Sequence, residues 1–449
     1  MEYLVSKYAT RNVPRYTSYP TAPHFSADVT PEMYEAWLRD LPAGGDLSLY
    51  LHVPYCQEMC WYCGCHTKVT KKEAPLVSYG KTLAAEVALI GKLIGEKRPV
   101  SHIHWGGGTP SLLPDASFRA VVASLREWFD LDGDLEHAIE LDPRTVTTRL
   151  ADTLAECGVT RASLGVQDFN AEVQAAIGRI QSFEVVENSV NALRGAGINA
   201  INLDLMYGLP KQTPEDIRET VDLAMKFKPS RLALFGYAHV PWMKKHQRLI
   251  KEEELPGVEG RLALAAAARD RLAEYGFEVI GLDHFAQPDD PMAIASRDGT
   301  LKRNFQGYTT DAAPALIGFG ASSIGKLPQG YAQNAPDIGG WSRSVEDGHP
   351  PIARGKALDD DDRARALIIE EIMTAYTVDV AAVAQEYGID IAEFDSAFEQ
   401  LGELIDDNLV AVEGKVVTVL EAGRPYVRIA AAAFDSYLAA AAARHSVAV

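Results

Sequence analysis

Short apolar runs alternate along the chain with longer stretches whose apolar residues recur every three to four positions, the pattern of strands followed by amphipathic helices. Six runs predict strands: LSLYLHV (47–53), HIHW (102–105), AIEL (138–141), RASLGV (161–166), AINLDLM (200–206) and RLALFGY (231–237). Between them, APLVSYGKTLAAEVALIGKLI, DASFRAVVASLREWF, TRLADTLAEC, SFEVVENSVNALRGAG and PEDIRETVDLAMKF read as helices, several closed by Gly or Pro. Repeated strand–helix units imply a parallel sheet, because the helix carries the chain back so that the next strand runs the same way. Right-handed crossovers in succession curl such a sheet, so the expected fold class is α/β, a partial (β/α)6 TIM-like barrel.

The pattern changes near the acidic run Asp359–Asp362, whose charges suit the positive end of a helix. Helical segments RARALIIEEIMTAY, VAAVAQEYG and IAEFDSAFEQLGELI follow, then a hairpin LVAVEGKVVTVL turning at Glu413 and Gly414, then an alanine-rich helix. The expected division is an N-terminal extension near the active site (1–45), the barrel with its catalytic site (46–355), and a smaller, mostly helical, winged-helix-like C-terminal domain (356–449). A winged helix raises nucleic-acid binding as a rival role, but residues 359–449 carry 18 Asp/Glu against 6 Lys/Arg, and phosphate contacts need a basic face. A lid packed on the barrel fits that charge better.

Composition narrows the class further. A chain of 449 residues, 47% hydrophobic, can bury one large core and a smaller one, and its net charge of -19 repels nucleic acid and anionic membrane surfaces. The start MEYLVSKYATRNVPRY lacks the basic and apolar regions of an export signal, and no stretch approaches the roughly 18 apolar residues of a spanning helix. A cytoplasmic location is therefore expected, with no nucleic-acid or membrane partner.

The unusual residues lie where the predicted strands end, which is where barrels of this type carry their chemistry. The first strand runs into PYCQEMCWYCGCH, the second into GGGTP, the third carries Glu140 and runs into DPR, and the fourth leads to Gln167 and Asp168. The fifth carries Asp204 and leads to YGLP, and the sixth runs into AHVPW. Four of the five cysteines fall within ten residues (Cys56, Cys60, Cys63, Cys65), which is a metal or redox site and not a disulfide framework; Cys157, in a mostly apolar helical stretch, reads as a core residue. Cys56-x3-Cys60-x2-Cys63 offers three thiolates to a four-iron cluster and leaves one iron open to chelate the amino and carboxylate groups of S-adenosylmethionine. Structural zinc is the competing reading of the cysteine loop alone, though it leaves GGGTP and the polar rim unexplained.

Gly107 and Gly108, lacking side chains, let backbone approach the methionine part of that cofactor, Glu140 suits its ribose hydroxyls and Arg179 its carboxylate; a solvated surface pair accounts for the last two equally well. Trp61 and Tyr62 suit a shielding shell around the cluster, or ordinary packing.

PRYTSYPTA (14–22), CQEMCWYCGCH, HWGGGTP, IELDPR, GVQDF, NLDLMYGLPKQTP, GLDHFA (281–286) and RNFQGYTT (303–310) together resemble the oxygen-independent coproporphyrinogen III oxidases of the radical S-adenosylmethionine superfamily, along nearly the whole chain. The resemblance implies oxidative decarboxylation of two propionates of coproporphyrinogen III to vinyls, giving protoporphyrinogen IX in haem biosynthesis, with a [4Fe-4S] cluster, two S-adenosylmethionine molecules, a monomeric chain and an electron donor such as flavodoxin or ferredoxin. It makes Cys56, Cys60 and Cys63 the cluster ligands and Cys65 a neighbouring non-ligand. Tyr50, Gly107, Glu140, Ala238 and Ile324 are assigned to the first cofactor, and Tyr62, Gly108, Thr109, Gln167, Arg179 and Asp204 to the second, with Phe305 and Gln306 close by. Tyr62 and Gly236 depart from the Phe and Asn of some relatives.

Arg15, Arg144 and Arg303 are candidates for the substrate's carboxylates by charge, although arginines more often serve structural ion pairs. Asp283 and His284 either orient substrate or complete a buried turn. Two rival roles stay open, a haem-carrying chaperone of the superfamily and a radical enzyme acting on another tetrapyrrole such as haem; the chaperones typically lack Cys65 and the PRYTSYP and NFQGYTT segments that this chain has.

Overall fold

The computed structural model describes residue 4 and residues 7–438. Six parallel strands stand side by side in chain order: β1 (Leu47–Val53), β2 (Val100–Gly107), β3 (Glu136–Leu141), β4 (Arg161–Gln167), β5 (Ala200–Tyr207) and β6 (Arg231–Gly236). Each matches a predicted run to within two residues at either end; the sixth stops one residue short of its run, at Gly236. The sheet then continues past both ends. Antiparallel β7 (Glu278–Ile280) and β8 (His284–Ala286) extend it beyond β6, with β8 pairing on β6. On the other side β9 (Ala315–Phe319) pairs with β1 in parallel, and β10 (Ile324–Leu327), β11 (Gly330–Asn334) and β12 (Ile352–Ala357) follow antiparallel. The parallel core therefore holds seven strands where sequence periodicity predicts six.

Period-2 alternation along these strands divides two environments. Leu47, Leu49, Leu51 and Val53 of β1, Ile103 and Trp105 of β2, Ile139 and Leu141 of β3, Leu164 of β4, Leu203 and Leu205 of β5 and Leu234 of β6 are buried in one core with Leu83, Val87, Phe118, Val122, Val190 and Val221 of the flanking helices. The alternate positions carry the polar residues of these strands, Tyr50 and His52, His102 and His104, Glu140, Arg161 and Ser163, Asn202 and Asp204, and Arg231, among apolar ones such as Ala138, Met206 and Phe235. Near the beginnings of the strands these form an ionic layer. Arg161 pairs with Glu136 at 3.0 Å and Arg231 with Asp290 at 2.7 Å. Nearer the strand ends Tyr50, Glu140 and Asp204 stay clear of that layer, so the interior carries a structural level and a functional level.

Residues 360–432 form a second packing unit. Asp359 accepts a hydrogen bond from Asp362 N at 2.8 Å and caps the helix Asp360–Ala375, the role its charge suggests. Shorter helices follow, and a three-stranded sheet places Val416–Val419 between Thr377–Asp379 and Val410–Glu413, with Gly414 (φ +63°) in the hairpin turn. The described part of the alanine-rich helix is Val427–Ala432; the predicted remainder beyond residue 438 lies outside the described residues. The second core, around Ile368, Ile372, Phe394, Leu401 and Phe434, also takes in Tyr8, Val13, Tyr16 and Tyr19 of the N-terminal segment. The Tyr8 hydroxyl donates to Asp407 at 2.6 Å and that of Tyr16 to Asp435 at 3.0 Å, so the two ends of the chain are stitched together. Among the described residues no helix is long and apolar enough to cross a membrane.

Candidate active site

The cysteine loop leaves β1 through a two-residue parallel pairing, Tyr55–Cys56 with Lys68–Val69, which pins both ends of the loop at the rim. Between these ends each sulfur meets donors. The hydroxyls of Thr67 and Thr109 approach Cys56 Sγ at 3.3 and 3.6 Å. Cys60 is buried, with Arg179 Nη1 at 3.3 Å and Arg144 Nη2 at 3.8 Å from its sulfur. Cys65 N donates to Cys63 Sγ at 3.4 Å. Bonding from Cys65, opposed by burial, brings the Cys63 thiol down to about 6, and the same partnership drives the Cys65 thiol far up. Burial raises the Cys56 thiol.

Three thiols ringed by hydroxyl, amide and guanidinium donors are the environment that iron–sulfur thiolates require, because hydrogen bonds to sulfur offset the charge of a reduced cluster. Among the described residues no three His, Cys, Asp or Glu side chains are gathered to share one ion. A four-iron cluster asks instead for one thiolate at each of several corners, and the loop meets that demand.

Beside the loop lies a cavity of about 440 Å³ lined by Tyr50, Glu140, Ile324, Phe305 and Gln306, together with His52 and Arg354. The 274 positions between Tyr50 and Ile324 are thus closed by pairing β1 with β9 and turning back into β10. Glu140 Oε2 accepts from Gly107 N at 3.2 Å and its Oε1 meets His104 Nε2 at 3.2 Å. Burial works to raise the Glu140 carboxyl, but His104 and the Gly107 amide outweigh it and keep the group ionised below the usual range. The Tyr50 hydroxyl meets His52 Nδ1 at 2.9 Å, and His52, pushed down to about 4 chiefly by burial, stays neutral.

Both glycines of the second loop are sterically required. A Cβ on Gly107 (φ +114°) would meet the His52 ring at 2.7 Å, and one on Gly108 would meet the Tyr55 carbonyl oxygen at 2.5 Å. Thr109, next in line, donates its backbone N–H to Tyr55 O at 2.7 Å.

Arg179 is the hinge of the other side. Its Nη2 donates to Gly165 O at 2.7 Å and to Asp142 at 3.2 Å, its Nη1 reaches Cys60, and its Nε is buried without a partner. Gln167 is buried in left-handed backbone (φ +70°), where the register between β4 and β5 slips. Asp204 accepts from Ser163 Oγ at 3.0 Å and is raised to about 6 by burial and then by Glu140. Tyr62 packs under the loop with Val173, Ile177, Leu209 and Tyr237.

Two assigned residues fall elsewhere. Ala238 lines a separate, larger cavity of about 1900 Å³ and not the smaller one. Arg144 is drawn off by Asp142 at 2.6 Å and Glu58 at 3.3 Å at the cysteine loop, whereas Arg15 and Arg303 do line the large cavity. Asp283 accepts from His284 at 2.8 Å at the same cavity's edge. Sequence reading passed over His52, although it shares a face with Tyr50 two residues away, and over Asp142, although it opens the DPR turn two residues before Arg144.

The sequence profile of the radical SAM superfamily matches residues 50–224, from Tyr50 through the cysteine loop and four further strands. Over nearly its whole length the chain is similar to the oxygen-independent coproporphyrinogen III oxidase of Bradyrhizobium diazoefficiens, 47% identical over 99% of both chains. It is likewise similar to that of Paracoccus denitrificans, 42% identical over 97% of this chain and 96% of the relative. Among solved structures it matches the coproporphyrinogen III oxidase of Escherichia coli, described as a radical SAM enzyme, with a TM-score of 0.91 and 36% identity over 98% of this chain and 99% of the other.

Proposed function

The chain belongs to the oxygen-independent coproporphyrinogen III oxidases, and from that premise we propose how its residues divide the work. It is a radical SAM oxidoreductase of porphyrin biosynthesis that converts two propionates of coproporphyrinogen III to vinyls, yielding protoporphyrinogen IX. When bound, a [4Fe-4S] cluster and S-adenosylmethionine would supply the one-electron chemistry that removes a β-hydrogen atom from a propionate, and loss of carbon dioxide to leave the vinyl would pass one further electron to a separate one-electron acceptor.

Cys56, Cys60 and Cys63 would hold the cluster through three thiolates, which would leave it able to take the cofactor's amino and carboxylate groups. Arg179 and Arg144 beside Cys60, and Thr67 and Thr109 beside Cys56, stabilise the thiolates. Tyr50, Gly107, Glu140 and Ile324 receive the first S-adenosylmethionine, with ionised Glu140 accepting from its ribose hydroxyls. Ala238 reaches the reaction space from the larger cavity. Tyr62, Gly108, Thr109, Gln167, Arg179 and Asp204 receive a second S-adenosylmethionine; the unpartnered Nε of Arg179 supports a carboxylate there.

No protein base is needed, since the hydrogen leaves as an atom and the carboxylate as carbon dioxide. What the chain supplies is position and shelter from water.

The reductant is a one-electron carrier of the flavodoxin or ferredoxin type. Lys244 Nζ donates to Cys65 O at 3.0 Å and His246 meets Cys63 O at 2.7 Å, so the basic loop 240–250 lies directly over the cysteine loop, where an acidic carrier finds its shortest electron path. The chain acts as a cytoplasmic monomer of three parts, an N-terminal extension (1–45), the partial barrel (46–355) and a winged-helix-like lid (356–449). The observation that carries the assignment is the buried Cys60 sulfur, met by Arg179 beside the cavity of Tyr50 and Glu140. Equilibrium dialysis of the reconstituted protein against labelled S-adenosylmethionine tests the two-cofactor reading. Two molecules per chain are expected, falling to one in Asp204→Ala; one per chain in the wild type refutes it.

A further inference from the structure

The large cavity, about 1900 Å³, opens between the end of β6, the helix Val258–Glu274, the N-terminal segment and the C-terminal unit. In a chain of net charge -19 its inner wall is cationic. Arg15 comes from the N-terminal segment, Arg261 from the helix, Arg303 from the strand Lys302–Asn304 and Arg428 from the helix Val427–Ala432. They share one inner carboxylate, Asp283; the other acids of the lining, Glu252, Asp270 and Glu421, are all exposed. Among the described residues Arg15, Arg261 and Arg303 form no ion pair. Their hydrogen bonds go to backbone carbonyls: Arg15 to Gly236 O, Arg261 to Tyr237 O at 2.6 Å, and Arg303 to the carbonyls of Arg15 and Tyr16 at 3.1 Å.

Two of their N–H groups, Arg261 Nε and Arg303 Nη1, are buried with no acceptor. Burial together with Arg15 and Arg303 lowers Arg428 to about 10, and His284, Arg303 and Arg15 overcome burial to hold Asp283 down to about 2. Clustered guanidiniums with orphaned buried donors cost stability unless an anion completes them.

Resting on the function proposed above, we propose that Arg15, Arg261, Arg303 and Arg428 are the receptor for the two carboxylates that the substrate keeps, while the two that it loses face the S-adenosylmethionine side. Guanidinium contacts stabilise a carboxylate as an anion. A carboxylate leaving as neutral carbon dioxide gives up that stabilisation in its transition state, so a clamp on a reacting group would slow the step, whereas a clamp on a retained group orients the ring at no kinetic cost. The chain connects the two places directly: Arg303 is followed within three residues by Phe305 and Gln306, which line the smaller cavity.

The test is binding of two air-stable probes to the reconstituted protein, followed by quenching of tryptophan fluorescence: coproporphyrin III, with four carboxylates, and protoporphyrin IX, with the two retained ones. Arg261→Gln and Arg303→Gln are expected to weaken both probes alike, by about 10- to 100-fold each, the value of a charge-assisted contact. Arg269→Gln, at the exposed mouth and paired with Asp270, leaves both unchanged. Arg261→Lys and Arg303→Lys recover part of the loss, which separates lost charge from lost folding. Weakening of coproporphyrin alone overturns the assignment to the retained carboxylates, and unchanged affinity for both probes in Arg261→Gln and Arg303→Gln, with a wild type that binds and turns over, overturns the receptor itself. A wild type that neither binds nor converts a tetrapyrrole refutes the function and the inference together.

Discussion

Glu86 offers a quantitative check on how the fold holds the smaller cavity. Its side chain, in a residue 1% exposed on the helix Glu73–Ile94, accepts hydrogen bonds from Gly320 N (2.7 Å), Trp341 Nε1 (3.0 Å) and Asn334 Nδ2 (2.6 Å), all neutral donors. Those bonds fix the turn that carries Ser322, Ser323 and Ile324 into the cavity wall, and Tyr79 reinforces them by donating to His52 O at 2.6 Å and accepting from Ala321 N at 2.9 Å.

Burial raises the Glu86 carboxyl from 4.5 to about 7, the three donors offsetting only part of the cost. Between those values the native protein keeps a proton that the unfolded chain has released. The contribution of Glu86 is therefore complete below pH 4.5 and is lost as pH rises to about 7; at 1.36 kcal/mol per pH unit the loss is about 3 kcal/mol. Glu86→Gln cannot titrate. Urea unfolding at about pH 5 and about pH 7.5 is expected to show the wild type losing about 2 kcal/mol more across that interval than the variant, part of the loss having occurred below pH 5. Equal pH dependence in the two proteins would refute the reasoning. Glu86→Ala strands three buried donors at ~1–3 kcal/mol each, and loosening of the turn should also weaken S-adenosylmethionine binding.

Other outcomes follow from the same geometry. Cys65→Ser should retain iron after anaerobic reconstitution while Cys56→Ser does not, as read by iron content and absorbance. Asp168, fully buried, accepts from Gln212 at 2.6 Å, Thr220 at 3.1 Å and Asn170 N at 2.7 Å, and Asp168→Ala should lower stability by about 2–5 kcal/mol, measured by urea unfolding. Gln167→Gly relieves a left-handed residue without loss of stability, so a higher KM for S-adenosylmethionine with an unchanged unfolding midpoint is expected.

The six strands were legible because each apolar run is short, is bounded by Gly, Pro or charge, and is followed by a helix of clear period. Ala315–Phe319 escaped because it has no such helix: Pro314 and a hairpin precede it, and five wholly buried residues carry no alternation to mark them as strand. That omission matters, since the strand is what brings Ile324 beside Tyr50 and Glu140. The cysteine loop and the glycines announce themselves by spacing. Arg261 and Arg428 do not, because their meaning lies in convergence across 167 positions of chain, whereas Arg144 takes the structural ion-pair role that arginines more often serve, with Asp142 only two residues away. Glu86 is similarly silent, one acid in a helix until donors from a turn (Gly320), a strand (Asn334) and another helix (Trp341), more than 230 positions away, surround it.

The central claim is that this rim cleaves S-adenosylmethionine on a cluster held by three cysteines and spends the radical on coproporphyrinogen III. Anaerobic turnover of the reconstituted protein with dithionite tests it most directly, following 5′-deoxyadenosine and porphyrin products by chromatography with Cys60→Ala as the control. The account predicts both 5′-deoxyadenosine and protoporphyrinogen IX from the wild type and neither from the variant. Deoxyadenosine without decarboxylation, or vinyl product that persists in Cys60→Ala, would contradict it.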